Sequence, residues 1–158
     1  MTLYHGSYME VRHPNLSFSR KEVDFGAGFY TTPIQEQAEK WSLRFKSKKK
    51  QAVVSEYEFD NNVTEKLSVL SFETYSDNWL DFVTSCRAGK DTARNYDLII
   101  GGVANDDVFN TLQLYLDNLI SRQETIKRLR YEKPNIQYCF KNQAVIDDRV
   151  RFLRSYEK

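Results

Sequence analysis

Apolar residues along this chain alternate or recur at helical spacing in short blocks, and the blocks predict a mixture of brief strands and amphipathic helices. "LYHGS" (3–7) reads as a strand ending at Gly6, and "GFYTT" (28–32) as a second. The stretch between them carries Pro14, the turn former Asn15 and scattered charge, and predicts a long loop of the kind that is often functional. A helix is expected next. Thr32 suits its N-cap, Pro33 its first position, and Gln35 completes a capping box. Ile34, Ala38, Trp41 and Phe45 then predict a buried stripe, and "KSKKK" (46–50) ends the helix.

β-Branched and aromatic residues make "AVVSEYEFD" (52–60) a strand, and "SVLSF" (68–72) reads as a further short one. "SDNWLDFVTSCR" (76–87) predicts a helix with Trp79, Phe82, Val83 and Cys86 on one face. "YDLIIGGVA" (96–104) has the length and composition of a strand. "NDDVFNTLQLYLDNLI" (105–120) predicts a helix with Val108, Leu112, Tyr115, Leu116 and Leu119 inward and Asp106 and Asp107 in its first turn, where the helix dipole favours anions. "ETIKRLR" (124–130) predicts a short helix, and "NIQYCF" (135–140) and "VRFLRSY" (150–156) close the chain as strands. This mixed order is α+β rather than a regular βαβ series.

Composition narrows the function classes only a little. A length of 158 residues with 41% hydrophobic and 14% aromatic content suits one globular domain over 1–158. Lys and Arg number 23 against 22 Asp and Glu, so the formal charge of +1 gives no global argument for nucleic-acid binding, though it leaves room for a local basic patch. Cys86 and Cys139 sit inside apolar patterns and read as buried free thiols. No Cys/His cluster has metal-ligand spacing, so no metal is expected. The N-terminus lacks a basic region followed by an apolar run, and no apolar stretch approaches the ~18 residues of a membrane span. A cytoplasmic, reducing location is the resulting expectation.

Several short motifs carry possible chemistry. In "DFGAGFYTT" (24–32), "DFG" matches the metal-binding triplet of protein kinases, but the chain has no V-A-I-K lysine or H-R-D-L-x-x-x-N loop and is too short. "GAG" is half of a dinucleotide fingerprint without its acidic partner, so a tight turn feeding a strand is the plain alternative. In "LYHGS", His5 at a strand end suits a ribose hydroxyl, and Gly6 lets the backbone approach a planar ligand; a loop histidine is the alternative. Gln137 is an amide inside a predicted strand, pointing either to solvent or into a cleft. In "GGVANDD" (101–107), Asn105 reads as a helix cap, with a cleft carboxylate as the rival reading. "KSKKK" reads as a solvated loop or as a phosphate-contacting patch.

In their order and spacing these motifs resemble the ADP-ribosyltransferase superfamily, in the branch with a His-Tyr-Glu signature that includes poly(ADP-ribose) polymerases. "LYHGS" is similar to its first element with His5 and Gly6, "GFYTT" to its second with Tyr30, and "IQYCFKNQAV" to its last, with Gln137 at the glutamate position. The whole chain also resembles a small bacterial family of unknown function assigned to that fold. The shared motifs stand here as "LYHGS", "DFGAGFYTT", "QAEKW", "WLDFV", "GGVAND" and "QYCF".

The resemblance implies a split β-sandwich with flanking helices and an NAD⁺ cleft between the sheets. It implies NAD⁺ as co-substrate, held by His5, Gly6, Ser7, Arg20, Gly28, Tyr30, Thr31 and Thr32. Gly6 would bond the nicotinamide carboxamide, Tyr30 would stack on the ring, His5 would bind a ribose hydroxyl, and Arg20 would pair with the pyrophosphate. His5, Tyr30, Gln137 and Asp106 are the implied catalytic set. Gln137 departs from the signature. It keeps a hydrogen bond but carries no charge, so either Asp106 or Asp107 would supply the charge or deprotonate the acceptor, or transfer would be limited to one ADP-ribose unit on a strong nucleophile; polymer formation is not expected either way. The expected activity is mono-ADP-ribosyl transfer to a protein or nucleic-acid acceptor, in the manner of a toxin paired with an antitoxin or of phage defence. The alternatives are NAD⁺ hydrolysis and an inactive NAD⁺- or ADP-ribose-binding module.

Overall fold

The computed structural model describes residues 1–158 apart from 62–65, 105, 131, 133 and 134. Its strands are β1 (Thr2–Ser7), β2 (Phe29–Thr31), β3 (Val53–Phe59), β4 (Val69–Ser71), β5 (Leu98–Gly102), β6 (Ile136–Phe140) and β7 (Val150–Glu157). Its α-helices are α1 (Gln35–Leu43), α2 (Asp77–Arg87), α3 (Asp106–Leu116), α4 (Arg122–Leu129) and α5 (Gln143–Arg149). The class is α+β. One sheet has the order β1-β3-β7 and the other β2-β6-β5-β4, antiparallel throughout except for the parallel pair β4–β5.

Strand alternation sorts the core into two layers. Leu3, Tyr57 and Phe59 of the first sheet meet Phe29, Leu98 and Phe140 of the second, and Val145 and Ile146 of α5 close that layer. Ile99 and Cys139 point the other way and are covered by Trp79, Leu80 and Val83 of α2, Val108 and Leu112 of α3 and Leu129 of α4. Each fully buried side chain of this size stabilises the fold by about 1.5–3 kcal/mol relative to exposure.

The two sheets touch edge to edge at a single bridge. Tyr4 and Thr32 exchange both backbone bonds, at 2.8 and 2.9 Å. Cross-strand partners share a face, so the outer face of β1, bearing Tyr4 and Gly6, runs on into the face of β2 bearing Thr32 and Tyr30. Helix α1 lies on the first part of this continuous face and α2–α4 on the second.

Helix α1 departs from the sequence expectation at both its start and its buried face. It begins at Gln35 with Ile34 at the N-cap and no side-chain cap bond. Thr32 instead donates to Ile136 O at 2.7 Å while accepting from Ile34 N–H at 3.1 Å, so its hydroxyl ties β2 to β6. The buried residues are Ala38 and Ser42, whereas Ile34 and Trp41 are each 39% exposed. The cause is Gly6. A Cβ there would stand 2.2 Å from Ala38 O, so α1 rests directly on the β1 backbone and only small residues fit the contact.

On α3, Val108 and Leu112 are buried as expected, but Leu116 and Leu119 are 40% and 69% exposed. The helix ends at Leu116, and Asn118 turns left-handed (φ 57°) just beyond, which carries Leu119 away from the core. The Asn105 cap lies outside the described residues. Helix α5 was not foreseen: its apolar residues, Ala144 to Ile146, are consecutive and show no helical period. Cys86 and Cys139 are free and buried.

Candidate functional site

The bridge between the sheets fixes what lies beside it. Antiparallel geometry would next pair Gly6 with Tyr30, yet among the described residues no hydrogen bond joins Gly6 to β2. The Tyr30 carbonyl instead bonds His5 Nδ1 at 2.7 Å. A carbonyl only accepts, so Nδ1 carries the proton and Nε2 presents a lone pair. Removal from water pushes the His5 pKa below its ordinary 6.5, more than the Tyr30 bond raises it, and the ring is held neutral.

Backbone groups alternate direction along a strand. Tyr4 spends its N–H and C=O on Thr32, so those of Gly6 point to the same edge, away from β3 and into the gap where β1 and β2 part. The gap therefore presents an adjacent donor and acceptor, the complement of a primary carboxamide.

Tyr30 and Gln137 share the outer face of the second sheet, because Tyr30 pairs with Cys139 and Gln137 lies two residues away on β6. His5 turns to the opposite face and packs on Phe29, with ring centroids 4.9 Å apart. Its link to the outer face is the bond to the Tyr30 carbonyl through the split. Gln137 is 5% exposed, and among the described residues its Nε2 has no partner.

A second amide, half-buried, stands close by. Gln37 of α1 donates from Nε2 to Ile136 O at 3.3 Å, next to Gln137, and among the described residues its buried Oε1 has no partner. Glu39 on the other flank of α1 bonds Tyr156 and Lys158 over β7, so the Gln37 flank overlooks the split. Trp41, one turn beyond Gln37, shares that flank and is partly exposed. Sequence reasoning missed Gln37 as a site residue and placed Trp41 in the core. Both lie in "QAEKW", so the signal was present.

Asp106 stands at the far wall of this outer face. Its carboxylate pairs with Arg44 Nη2 at 2.7 Å, and Arg44 in turn stacks on the Trp41 ring at 4.7 Å. The pair is open to water, with side chains 51% and 85% exposed, and spans from α1 to α3.

The glycine-rich loop is bound tightly to the protein. Asp24 accepts from Arg87 Nε at 3.0 Å and from Ala104 N–H at 3.0 Å, tying "DFGAG" to the turn after β5. Lys141 Nζ donates to Phe25 O at 2.7 Å and also to Ala27 O. The Tyr30 hydroxyl donates to Gly26 O at 2.5 Å and accepts from Phe25 N–H at 3.1 Å. Burial, reinforced by Cys139, pushes the Tyr30 pKa far up, so its phenol stays a neutral donor. Burial also pushes the Cys139 thiol up to about 12, which removes it as a nucleophile. Gly28 is required by packing, since a Cβ would stand 2.3 Å from Cys139 Sγ.

The remaining expected residues divide. Thr31 donates to Tyr138 O at 3.2 Å and supports the β2–β6 pairing. Ser7 is buried at the end of β1, beside the split. Arg20 is exposed on the loop before Gly26. Two hollows of about 350 and 390 Å³ lie against α2, and neither is lined by His5, Tyr30 or Gln137. Among the described residues, no His, Cys, Asp and Glu group could hold a metal. Nor is any helix there long and apolar enough to cross a membrane.

No curated protein and no solved structure matches the chain. One family model, described as a protein of unknown function (DUF3990), matches residues 1–152, from β1 into β7 and across the whole split site. The chain therefore belongs to the DUF3990 family.

Proposed function

We propose that the protein binds NAD⁺ at the split between β1 and β2 and transfers one ADP-ribose unit to a macromolecular acceptor. One observation carries this reading: on the outer face that it shares with Tyr30, Gln137 buries an amide nitrogen that none of the described residues satisfies. Buried donors without partners are rare and cost about 1–3 kcal/mol each, so one retained on the face that leads to the split points to a ligand. Two sheets that join at one bridge and part where His5 and Gly6 meet Tyr30 also support the split sandwich of the ADP-ribosyltransferases.

The donors and acceptors suit the dinucleotide. Gly6 offers the carboxamide its complement, and Nε2 of neutral His5 can accept from a ribose hydroxyl. Gln137 Nε2 can donate to a ribose oxygen, while Gln37 Oε1 can accept from a hydroxyl. Trp41 offers an aromatic face toward a cationic ring. The Tyr30 hydroxyl is committed to its loop, so this residue acts through ring contact and by shaping the split.

In the reaction the C1′–N bond breaks and its electron pair stays with nicotinamide, which leaves neutral. An acceptor lone pair forms the new bond to C1′, and the acceptor gives up one proton. Asp106, at the head of α3, is the carboxylate assigned to take that proton. An exposed ion pair such as Arg44–Asp106 contributes only ~0–1 kcal/mol, so the carboxylate can be released toward the acceptor at little cost.

Incubation with labelled NAD⁺ and, separately, cell protein and RNA or DNA tests the proposal. Label on a macromolecule, lost in Gln137→Leu and His5→Ala, is expected. Free ADP-ribose without macromolecular label would replace transfer by hydrolysis. A second reading, NAD⁺ binding without catalysis, is favoured by the uncharged Gln137. It predicts NAD⁺ binding with neither product.

A further inference from the structure

The segment after α1 builds a surface that neither the split nor the core uses. No acidic residue occurs between Glu39 and Glu56, while Arg44, Lys46, Lys48, Lys49 and Lys50 fall within seven residues. Arg44 is neutralised by Asp106. The four lysines are exposed, and among the described residues none meets a carboxylate. Of the nearby acids, Glu10 is paired with Arg12 and Glu39 with Lys158, while Glu157 accepts from the neutral Gln51 amide and keeps its single charge against the four lysines. In a chain with a formal charge of +1, this concentrates uncompensated positive charge at one place.

The lysines stand on an ordered turn. Lys46–Lys48 form a single helical turn, and Lys49 and Lys50 return N–H bonds to Lys46 O and Phe45 O at 3.0 and 3.1 Å. Lys49 has φ 56°, a left-handed conformation that favours glycine, yet a lysine is kept there. An aromatic platform adjoins the turn. Tyr8, 42% exposed just past the end of β1, stands in a T-shaped contact with Phe45, centroids 5.6 Å apart, and carries Lys50 Nζ over one face at 4.1 Å.

We infer that this surface binds single-stranded nucleic acid, with phosphates on Lys46, Lys48, Lys49 and Lys50 and an unpaired base stacked on Tyr8. Charge alone would accept any polyanion. The exposed aromatic ring among the lysines selects a polyanion that also carries π-faces. Tyr8 lies two residues beyond Gly6 on the same chain, so a bound strand runs beside the split. If the reading above holds, the strand is the acceptor class for transfer; that last step rests on the proposed activity, whereas binding does not.

The test is fluorescence anisotropy of the full chain with labelled ~12-nucleotide RNA and DNA single strands, without NAD⁺. Four phosphate contacts predict a log–log salt slope of about −2.8, or about 50-fold weaker binding between ~50 and ~200 mM salt. The Lys48→Gln/Lys49→Gln double variant should bring the slope to about −1.4. Tyr8→Ala should weaken binding on the order of tenfold with the slope unchanged. Lys49→Gly, which suits the left-handed backbone, should fold normally and still shorten the slope by about 0.7, separating charge from turn structure. A preference for the RNA or the DNA strand supports the proposal and identifies the sugar.

A duplex of the same sequence bound as tightly as the single strand would overturn the proposal, as would an acidic polypeptide bound equally well and indifferent to Tyr8→Ala. So would a slope untouched by the lysine replacements. Binding that behaves as described, with no transfer from NAD⁺ to any acceptor, rejects the proposed activity and leaves this surface standing. Transfer to protein without oligonucleotide binding does the reverse.

Discussion

Replacing Gln137 with methionine separates a structural role for this residue from a functional one. Methionine matches glutamine closely in length and volume, so the outer face of β6 keeps its packing. The substitution removes Nε2, which is buried without a partner among the described residues; Gln137 as a whole is 5% exposed. An unsatisfied buried donor of this kind costs the fold about 1–3 kcal/mol, and its removal sacrifices no bond made by that nitrogen. Gln137→Met should therefore stabilise the protein by about 1–2 kcal/mol, which for a chain of this size is about 3–6 °C in Tm. Thermal and urea unfolding followed by tryptophan fluorescence will measure it, since Trp79 is fully buried. The same variant should lose NAD⁺ binding by calorimetry. A variant that melts lower and binds NAD⁺ as before would refute the reasoning, because Gln137 would then be a structural amide outside the site.

Three further outcomes follow from the same geometry. Asp24→Asn breaks a pair whose side chains are 9% and 20% exposed; it should cost about 2–3 kcal/mol in urea unfolding, slightly below the usual loss for a fully buried pair because Arg87 can partly rehydrate. A cost under ~0.5 kcal/mol would show that Arg87 does not hold the loop. Gly6→Ala drives a Cβ to 2.2 Å from Ala38 O, so α1 must lift; about 2–3 kcal/mol of stability should be lost together with NAD⁺ binding. His5 is neutral when folded and ordinary when unfolded, so its contribution is complete above 6.5 and fades as pH falls through the lower folded value. Unfolding free energy should drop by up to ~1.4 kcal/mol per pH unit in that acidic window, and His5→Asn should flatten the dependence; an unchanged slope would reject the assignment.

The strands and most helices were legible because their apolar blocks are short, well bounded and rich in the right residue types. The face buried by α1 was not. Trp41 and Ala38 recur at equally good helical spacing, and hydrophobicity favours Trp41, but the surface beneath is a glycine backbone that admits only Ala38 and Ser42. The choice belongs to the partner strand, which no periodicity in the helix can report. Asp24 was unreadable for a related reason: Arg87 and Ala104 lie 63 and 80 residues away, so "DFGAG" offered only half of a dinucleotide fingerprint or a tight turn. The loop is instead held by Arg87, Lys141 and Tyr30. His5, Gly6 and Gln137 stood out early because a histidine-glycine pair and a strand-interior amide are locally out of place.

The bound loop explains how the split stays open. An unpaired strand edge beside a free partner should zip closed, and one more rung between Gly6 and Tyr30 would satisfy two backbone groups. Two features oppose it. The Tyr30 carbonyl is already taken by the His5 ring, which leaves the Gly6 N–H without its natural acceptor. At the same time the Tyr30 hydroxyl, Lys141 and the Asp24–Arg87 pair hold the segment that leads into β2, so β2 cannot swing toward β1. His5 thus acts first as a wedge that keeps the Gly6 donor–acceptor pair unmatched by β2, and its second nitrogen keeps a lone pair. A fold selected only for stability would close that rung; held open, it is the edge on which the proposed recognition of NAD⁺ rests.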